Sequence, residues 1–101
     1  MFNTYVLNYD PAMTDPTPPR LIEFVRSNSF TYQYLIPFAG TILIKSSASL
    51  IQLIDSYRPF FYPNHFILVQ IETVAISGLL PANQWEWINA SLPPPLLPRI
   101  N

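Results

Sequence analysis

The chain is predicted to be a small α+β protein in which one antiparallel sheet packs against helices. Its 101 residues are enough for one small domain. Half of them are hydrophobic, so the chain can bury a core. Segments with strand-like alternation and segments with helical spacing follow one another along the sequence. These observations indicate a single domain over residues 1–89, followed by a proline-rich extended tail over residues 90–101.

The first two elements are predicted to be a strand and a short helix. Aromatic and β-branched residues over 3–9 favour a strand, which an Asp-Pro pair terminates. Four prolines in residues 11–19 then predict a loop. The helix has two prolines in its first turn and Thr17 as N-cap, and it ends near Asn28.

A hairpin is predicted in the middle of the chain. Residues 30–36 alternate between aromatic and polar types, and residues 41–45 form the second arm after a turn at 38–40. The surrounding stretch 35–54 is long enough to cross a bilayer. It contains a proline, a glycine, a lysine and three serines, so two strands and the start of a helix fit it better than one membrane-spanning helix.

The second half of the chain is predicted to add a helix, a strand and a last helix. The first of these helices carries an apolar stripe over residues 50–57, with Ser46 or Ser47 as its cap and Pro59 as its end. The most β-prone run of the chain lies within residues 65–74. Residues 82–89 then predict a short helix with two tryptophans.

This order of elements corresponds to two right-handed β-α-β units that share one antiparallel sheet, which is the ferredoxin-like arrangement. Both helices of those units lie on the same face of the sheet. The other face is expected to be bare, and the strands carry few charges to solvate it. We therefore predict a homodimer that covers this face. The expected interface residues are large and apolar: Phe66, Leu68, Trp85 and Trp87.

The composition excludes several classes of function. Lysine and arginine total 5 and are scattered singly, a poor supply for a protein held on nucleic acid by its charge. The absence of cysteine removes disulfide scaffolds, thiol nucleophiles and cysteine metal sites. Two glycines cannot form a glycine-rich phosphate loop. The start of the chain has no signal-peptide pattern, which favours a cytoplasmic protein.

Several motifs resemble the CRISPR-associated protein 2 superfamily. Residues 2–6, running into Tyr9-Asp10, resemble its opening strand and are similar to that of the endoribonuclease antitoxin of a type V toxin–antitoxin pair. A third strand that ends in Lys45 and a Ser-Gly turn before a Trp-bearing helix are similar to stand-alone members. The resemblance spans residues 2–89 and implies the ferredoxin-like fold. The charge-poor second helix and the proline-rich tail depart from it.

Asp10 is the residue to which the resemblance assigns chemistry. In metal-dependent nucleases of this superfamily, an aspartate at the end of the first strand holds a divalent cation, and two copies face each other across the dimer axis. Mg²⁺ or Mn²⁺ would suit such oxygen ligands and could activate water against a phosphodiester. The alternative is that Asp10 simply bonds its own turn. His65 is the only histidine, and no catalytic partner can be assigned to it.

Two functions remain open from the sequence. The first is a non-catalytic homodimer that uses a nuclease-like fold as an interaction or regulatory module, with a protein as its partner. The missing basic clusters and the many aromatic residues favour this reading. The second is a Mg²⁺- or Mn²⁺-dependent endoribonuclease that uses Asp10 from each subunit and takes RNA as its substrate.

Overall fold

The computed structural model describes residues 2–72 and 77–90. The strands are β1 (Asn3–Tyr9), β2 (Gln33–Phe38), β3 (Thr41–Ser46) and β4 (Phe66–Ile71), and the helices are α1 (Pro18–Ser27), α2 (Leu50–Phe61) and α3 (Ala82–Asn89). None of the helices in these residues has the length and apolar character needed to cross a bilayer. The predicted end of the last strand at Val74 and the tail from Ser91 onward lie outside the described residues.

The four strands form one sheet in the order β2-β3-β1-β4, and every neighbouring pair is antiparallel. In the middle of the sheet, Val6 of β1 pairs with Leu43 of β3 and with Val69 of β4. Along the chain the order is strand, helix, strand, strand, helix, strand and helix, as the sequence predicts. The result is an α+β protein that is compatible with a small ferredoxin-like fold.

The main core lies between one face of the sheet and the helices α1 and α2. Its fully buried side chains come from the central strands and from both helices: Tyr5, Leu7, Ile42, Ile44, Leu21, Val25, Leu53, Tyr57 and Phe61. Burial of each large apolar side chain contributes about 1.5–3 kcal/mol to the free energy of folding. The Tyr5 hydroxyl also donates a hydrogen bond of 2.6 Å to the carbonyl oxygen of Ala48, which fixes the start of α2 to β1.

A smaller core lies on the opposite face of the sheet, which we call the outer face. There α3 packs Trp87 and Ile88 against Leu43 of β3. The prediction of a bare second face is therefore wrong for the part of the sheet that α3 covers. The chain supplies its own cover, and β3 is buried on both faces.

The two predicted ends of α2 are also wrong. Its N-cap is Ser49, whose hydroxyl accepts the N–H of Gln52 while the Gln52 side chain accepts the N–H of Ser49. Ser46 instead ends β3, and its hydroxyl accepts the N–H of Ala48. At the other end the helix continues through Pro59 to Phe61.

Aromatic packing explains why α2 continues past its proline. Phe60 stacks on Phe24 of α1 with ring centroids 4.2 Å apart, and Phe61 stacks on Phe66 of β4 at 4.4 Å. A proline inside a helix costs about 3 kcal/mol. The two stacks, in which Phe61 is buried and the other three rings are half-buried, offset such a cost because each aromatic side chain removes apolar area from water.

The hairpin turn before β3 depends on Gly40. This residue has φ +88°, a backbone conformation that residues with a side chain rarely adopt. An added Cβ would lie 3.2 Å from the carbonyl oxygen of Tyr9. The Gly40 carbonyl accepts the N–H of Tyr9 at 3.0 Å, so the turn is bound directly to the end of β1.

Replacing the cap of α2 tests its assignment. We expect Ser49→Ala to lower the free energy of unfolding by about 1 kcal/mol, because the N–H of Gln52 loses its acceptor. Ser47→Ala is the matched control, since Ser47 is exposed and lies just before the helix. Urea denaturation of both variants measures the difference, and equal losses would contradict the assignment.

Alkaline pH tests the burial of Tyr57. Burial raises the pKa of Tyr57 to about 12. The folded protein therefore keeps this proton where the unfolded chain loses it, and the resulting stability is present below pH 10 and is lost as the pH rises toward 12. Between pH 10 and pH 12 we expect the free energy of unfolding to fall by about 2–3 kcal/mol less in Tyr57→Phe than in the wild type.

The control for this measurement is Tyr62→Phe, because Tyr62 is 79% exposed. Its stability should follow the wild-type pH curve. Any alkaline contribution from Lys45, the one lysine of the sequence, is common to the three proteins and cancels in the comparison. Parallel curves for all three in urea denaturation would show that Tyr57 ionises as easily in the folded protein as in the unfolded chain.

Candidate functional site

The outer face of the sheet has three parts. A buried lysine lies under the C-terminal end of α3, an apolar cavity lies beside its N-terminal end, and an exposed apolar strip runs along β4. The lysine and the cavity both lie beside α3, which contacts β3 at Leu43 and Lys45. The apolar strip is exposed because α3 does not cover β4.

Lys45 is only 2% exposed. Its ammonium nitrogen donates hydrogen bonds to the carbonyl oxygens of Trp87 and Ala90, and it lies 4.4 Å from the centroid of the Trp87 ring. Carbonyl groups at a helix C-terminus and the face of an indole both attract a cation. Burial lowers the pKa of Lys45 from its ordinary value of 10.5. The role that these contacts indicate is to hold α3 on the sheet.

The cavity has a volume of about 360 Å³ and lies between the outer face, segment 77–80 and α3. Side chains of Val6, Leu43 and Ile88 line its inner part, and Trp85 forms one wall. Thr41 contributes a hydroxyl that accepts a hydrogen bond of 2.9 Å from the side-chain amide of Asn8. Ser77 also lines the cavity, so the site is apolar apart from two hydroxyl groups, of which that of Thr41 is held in place by Asn8.

The mouth of the cavity is bordered by large exposed apolar residues. Phe38 is 60% exposed at the end of β2, and Leu79 is 98% exposed in the segment before α3. Side chains of this kind are normally exposed singly on a protein surface. Two of them at one opening mark it as a candidate binding site.

The exposed strip on β4 consists of Ile67 and Val69, which are 62% and 43% exposed. Both lie on the outer face, because they pair across the sheet with Asn8 and Val6. Among the residues that the structure describes, β4 is also an edge of the sheet. Its exposed side chains therefore lie next to backbone groups that no described strand pairs.

Asp10 lies directly after β1 and is exposed. One of its carboxylate oxygens accepts the N–H of Ala12 at 2.8 Å, so the aspartate does bond its own turn. Within residues 2–72 and 77–90 no three acidic, histidine or cysteine residues come close enough together to hold a metal ion. A metal role for Asp10 therefore stays a prediction that needs a second copy. His65 is exposed at the start of β4.

The four predicted interface residues lie in different environments. Phe66 and Leu68 face α1 and α2, where Leu68 is buried in the main core. Trp87 is buried and Trp85 is half-buried, both in the smaller core of the same chain. Contacts within one chain thus account for their apolar character, and their role in an interface stays a prediction.

The sequence reasoning missed the residues that are actually exposed on β4. All four residues from Phe66 to Val69 are apolar, so an alternating pattern gives no sign of which pair faces the helices. The missing signal is the register with β1, which places Leu68 beside Leu7 and Val69 beside Val6.

Comparison with known proteins gives no family: no family model matches this chain, and neither a curated protein nor a solved structure matches it. The class that the fold and the site define is therefore a small α+β protein with an apolar outer face.

Replacing Lys45 tests its contacts with α3. We expect Lys45→Met to lower the free energy of unfolding by about 1–3 kcal/mol, because the buried carbonyl oxygen of Trp87 loses its donor. Tryptophan fluorescence should also shift to the red as α3 loosens. Arg20→Met, at an exposed position on α1, is the control and should change neither measurement. Stability and fluorescence like those of the wild type in Lys45→Met would show that packing alone holds α3.

Proposed function

We propose that this protein is a cytoplasmic homodimer with a ferredoxin-like fold, and that it acts as a non-catalytic interaction or regulatory module. The observation that carries the proposal is the open edge of β4 with its exposed apolar strip of Ile67 and Val69. Pairing of two copies there removes the edge from water and brings the two apolar strips side by side on the joint outer face.

The difference between the two edges of the sheet supports pairing at β4. On the opposite edge, β2 contains Pro37 and its register with β3 shifts between Leu35 and Phe38. Proline and irregular pairing are two of the means by which proteins block an edge strand. β4 has neither proline nor charge over its six residues, Phe66–Ile71. The chain therefore blocks one edge and leaves the other able to pair.

Pairing of β4 with β4 is geometrically self-consistent. A two-fold axis between identical antiparallel strands gives each copy the same contacts, which is the usual symmetry of a homodimer. The Val69 side chains of the two copies then lie near each other on the joint outer face. A stable interface buries about 800 Å² on each partner, so surface next to Ile67 and Val69 would have to contribute as well.

The chemistry of the exposed residues supports a module without catalysis. Within the described residues, no cluster of potential metal ligands exists. The two ion pairs, Arg26–Glu23 and Arg58–Asp55, lie within single helices on the protein surface. Such pairs contribute little to stability and present no concentrated charge to a partner. Apolar contact is the interaction that this surface offers.

The alternative function is a Mg²⁺- or Mn²⁺-dependent endoribonuclease in which each subunit contributes Asp10. One observation favours keeping it: the Asp10 side chain is exposed, and only one of its two oxygens is engaged by the Ala12 N–H. The second oxygen could ligate a metal ion shared with a partner copy. The alternative needs a dimer that brings the two Asp10 side chains together.

Substitution on β4 tests the dimer. We expect the wild type to sediment as a dimer at micromolar concentration and Val69→Lys to sediment as a monomer, because the lysines of the two copies would lie close together across the joined strands and like charges there oppose pairing. Ile51→Lys is the matched control, since it adds the same charge at an exposed apolar position of α2 and not on the edge strand. We expect it to remain dimeric. A monomeric wild type, or a dimer unaffected by Val69→Lys, would remove the proposed interface.

Incubation with RNA separates the two functions. Structured and single-stranded RNA are incubated at low salt with Mg²⁺ or Mn²⁺ and with the wild type or Asp10→Asn, and the products are separated on a gel. Under the proposed function neither protein cleaves. Cleavage by the wild type that disappears in Asp10→Asn would overturn the proposal and establish the endoribonuclease.

A further inference from the structure

We propose that the cavity beside α3 is a binding site for a small uncharged apolar molecule with one hydrogen-bond acceptor, such as a medium-chain alcohol or a neutral aromatic compound. This goes beyond the proposed dimer, because Ile67 and Val69 do not line the cavity. The site is formed within one chain, between the outer face of the sheet and the N-terminal half of α3.

The size of the cavity fits such a molecule. Small-molecule pockets in proteins have volumes of about 300–1,000 Å³. This cavity has about 360 Å³, which places it at the lower end of that range. A cavity of about 150 Å³ already takes up benzene. The expected ligand is therefore larger than one aromatic ring and smaller than a nucleotide.

The charge of the lining selects an uncharged molecule. None of the residues that line the cavity carries a charge. Lys45, a buried cation of the outer face, lies at the other end of α3 and is already bound by two carbonyl oxygens. An ionised ligand would lose its hydration without gaining an opposite charge, which disfavours it strongly.

Thr41 supplies the polar contact. The hydroxyl accepts a hydrogen bond from Asn8, and within the described residues the structure gives no acceptor for the hydroxyl's own hydrogen. Thr41 is 9% exposed and lines the cavity. A ligand oxygen at this position would complete its hydrogen bonding, and the Asn8 amide would keep the hydroxyl oriented.

The mouth of the cavity explains how an apolar molecule would enter. Phe38 and Leu79 keep large apolar surfaces in water at this opening. A bound ligand would cover part of both side chains, so that binding removes protein surface as well as ligand surface from water. Trp85 in the wall would report the event through its fluorescence.

The test uses the full chain and N-phenyl-1-naphthylamine, a neutral probe whose fluorescence rises when it leaves water. We expect saturable binding of one probe per chain. 1-Decanol should displace the probe, whereas decanoate, which has the same chain length but a negative charge, should displace it much more weakly. Equal displacement by the two competitors, or no saturable binding of the probe, overturns the proposal.

One substitution in the cavity and one away from it locate the binding site. Val6 lines the cavity, whereas Ile51 is 72% exposed on α2, on the opposite side of the sheet. We expect Val6→Phe to fill the cavity and weaken probe binding by about tenfold or more, whereas Ile51→Phe should change it by less than about twofold. Thermal unfolding shows whether each variant is folded. Equal effects of the two substitutions would place the probe elsewhere.

Two further measurements exclude other occupants and do not depend on a folded Val6 variant. In amide spectra recorded by NMR, 1-decanol should shift the signals of Thr41 and the Trp85 indole; shifts confined to β4 would contradict the site. A chain that ends after Ala90 should bind the probe as the full chain does. Much tighter binding would show that the tail occupies the cavity, and binding that weakens as the protein is concentrated would show that a second copy does.

Discussion

The contacts of Lys45 with the end of α3 decide how the outer face of the sheet is covered. A lysine in the middle of a sheet must either reach water or find acceptors, and here two carbonyl oxygens and an indole ring provide them. The helix gains a cation at its negative end in return. Because the lysine lies at the far end of β3, α3 must follow that strand, and the cavity and the bare part of β4 are consequences of that path.

Much of the fold was predictable because local signals and packing agree. The strand over residues 3–9 and the helix over residues 82–89 are confirmed with the predicted ends. At α2 the local signals and the packing disagree. Three serines precede the helix, and only the contact with Gln52 distinguishes Ser49 as the cap. Pro59 is a strong local signal for a helix end, but the aromatic stacks that keep the helix intact depend on the packing of α2 against Phe24 of α1, which is distant in the chain, and Phe66 of β4.

The candidate site was less predictable for a related reason. An apolar position in a strand shows that something covers it, but it does not show whether the cover is a helix of the same chain or another molecule. Trp87 is predicted as an interface residue, and its own chain already buries it; a role in an interface stays a prediction. Nothing in the neighbours of Lys45 along the chain indicates that its side chain is buried. The turn formed by Asp10 was one of the two alternatives that the sequence left open, and it is present.

The unequal edges of the sheet have a consequence for how far assembly could go. A chain with two pairing edges can add copies indefinitely and form fibrils. Here Pro37 and the register shift occupy the β2 edge, whereas β4 is regular. Two chains joined through β4 would present only the interrupted edges to solvent, and a third chain would find no strand to extend. If two chains join through β4, the position of one proline would thus limit growth by strand addition to two chains.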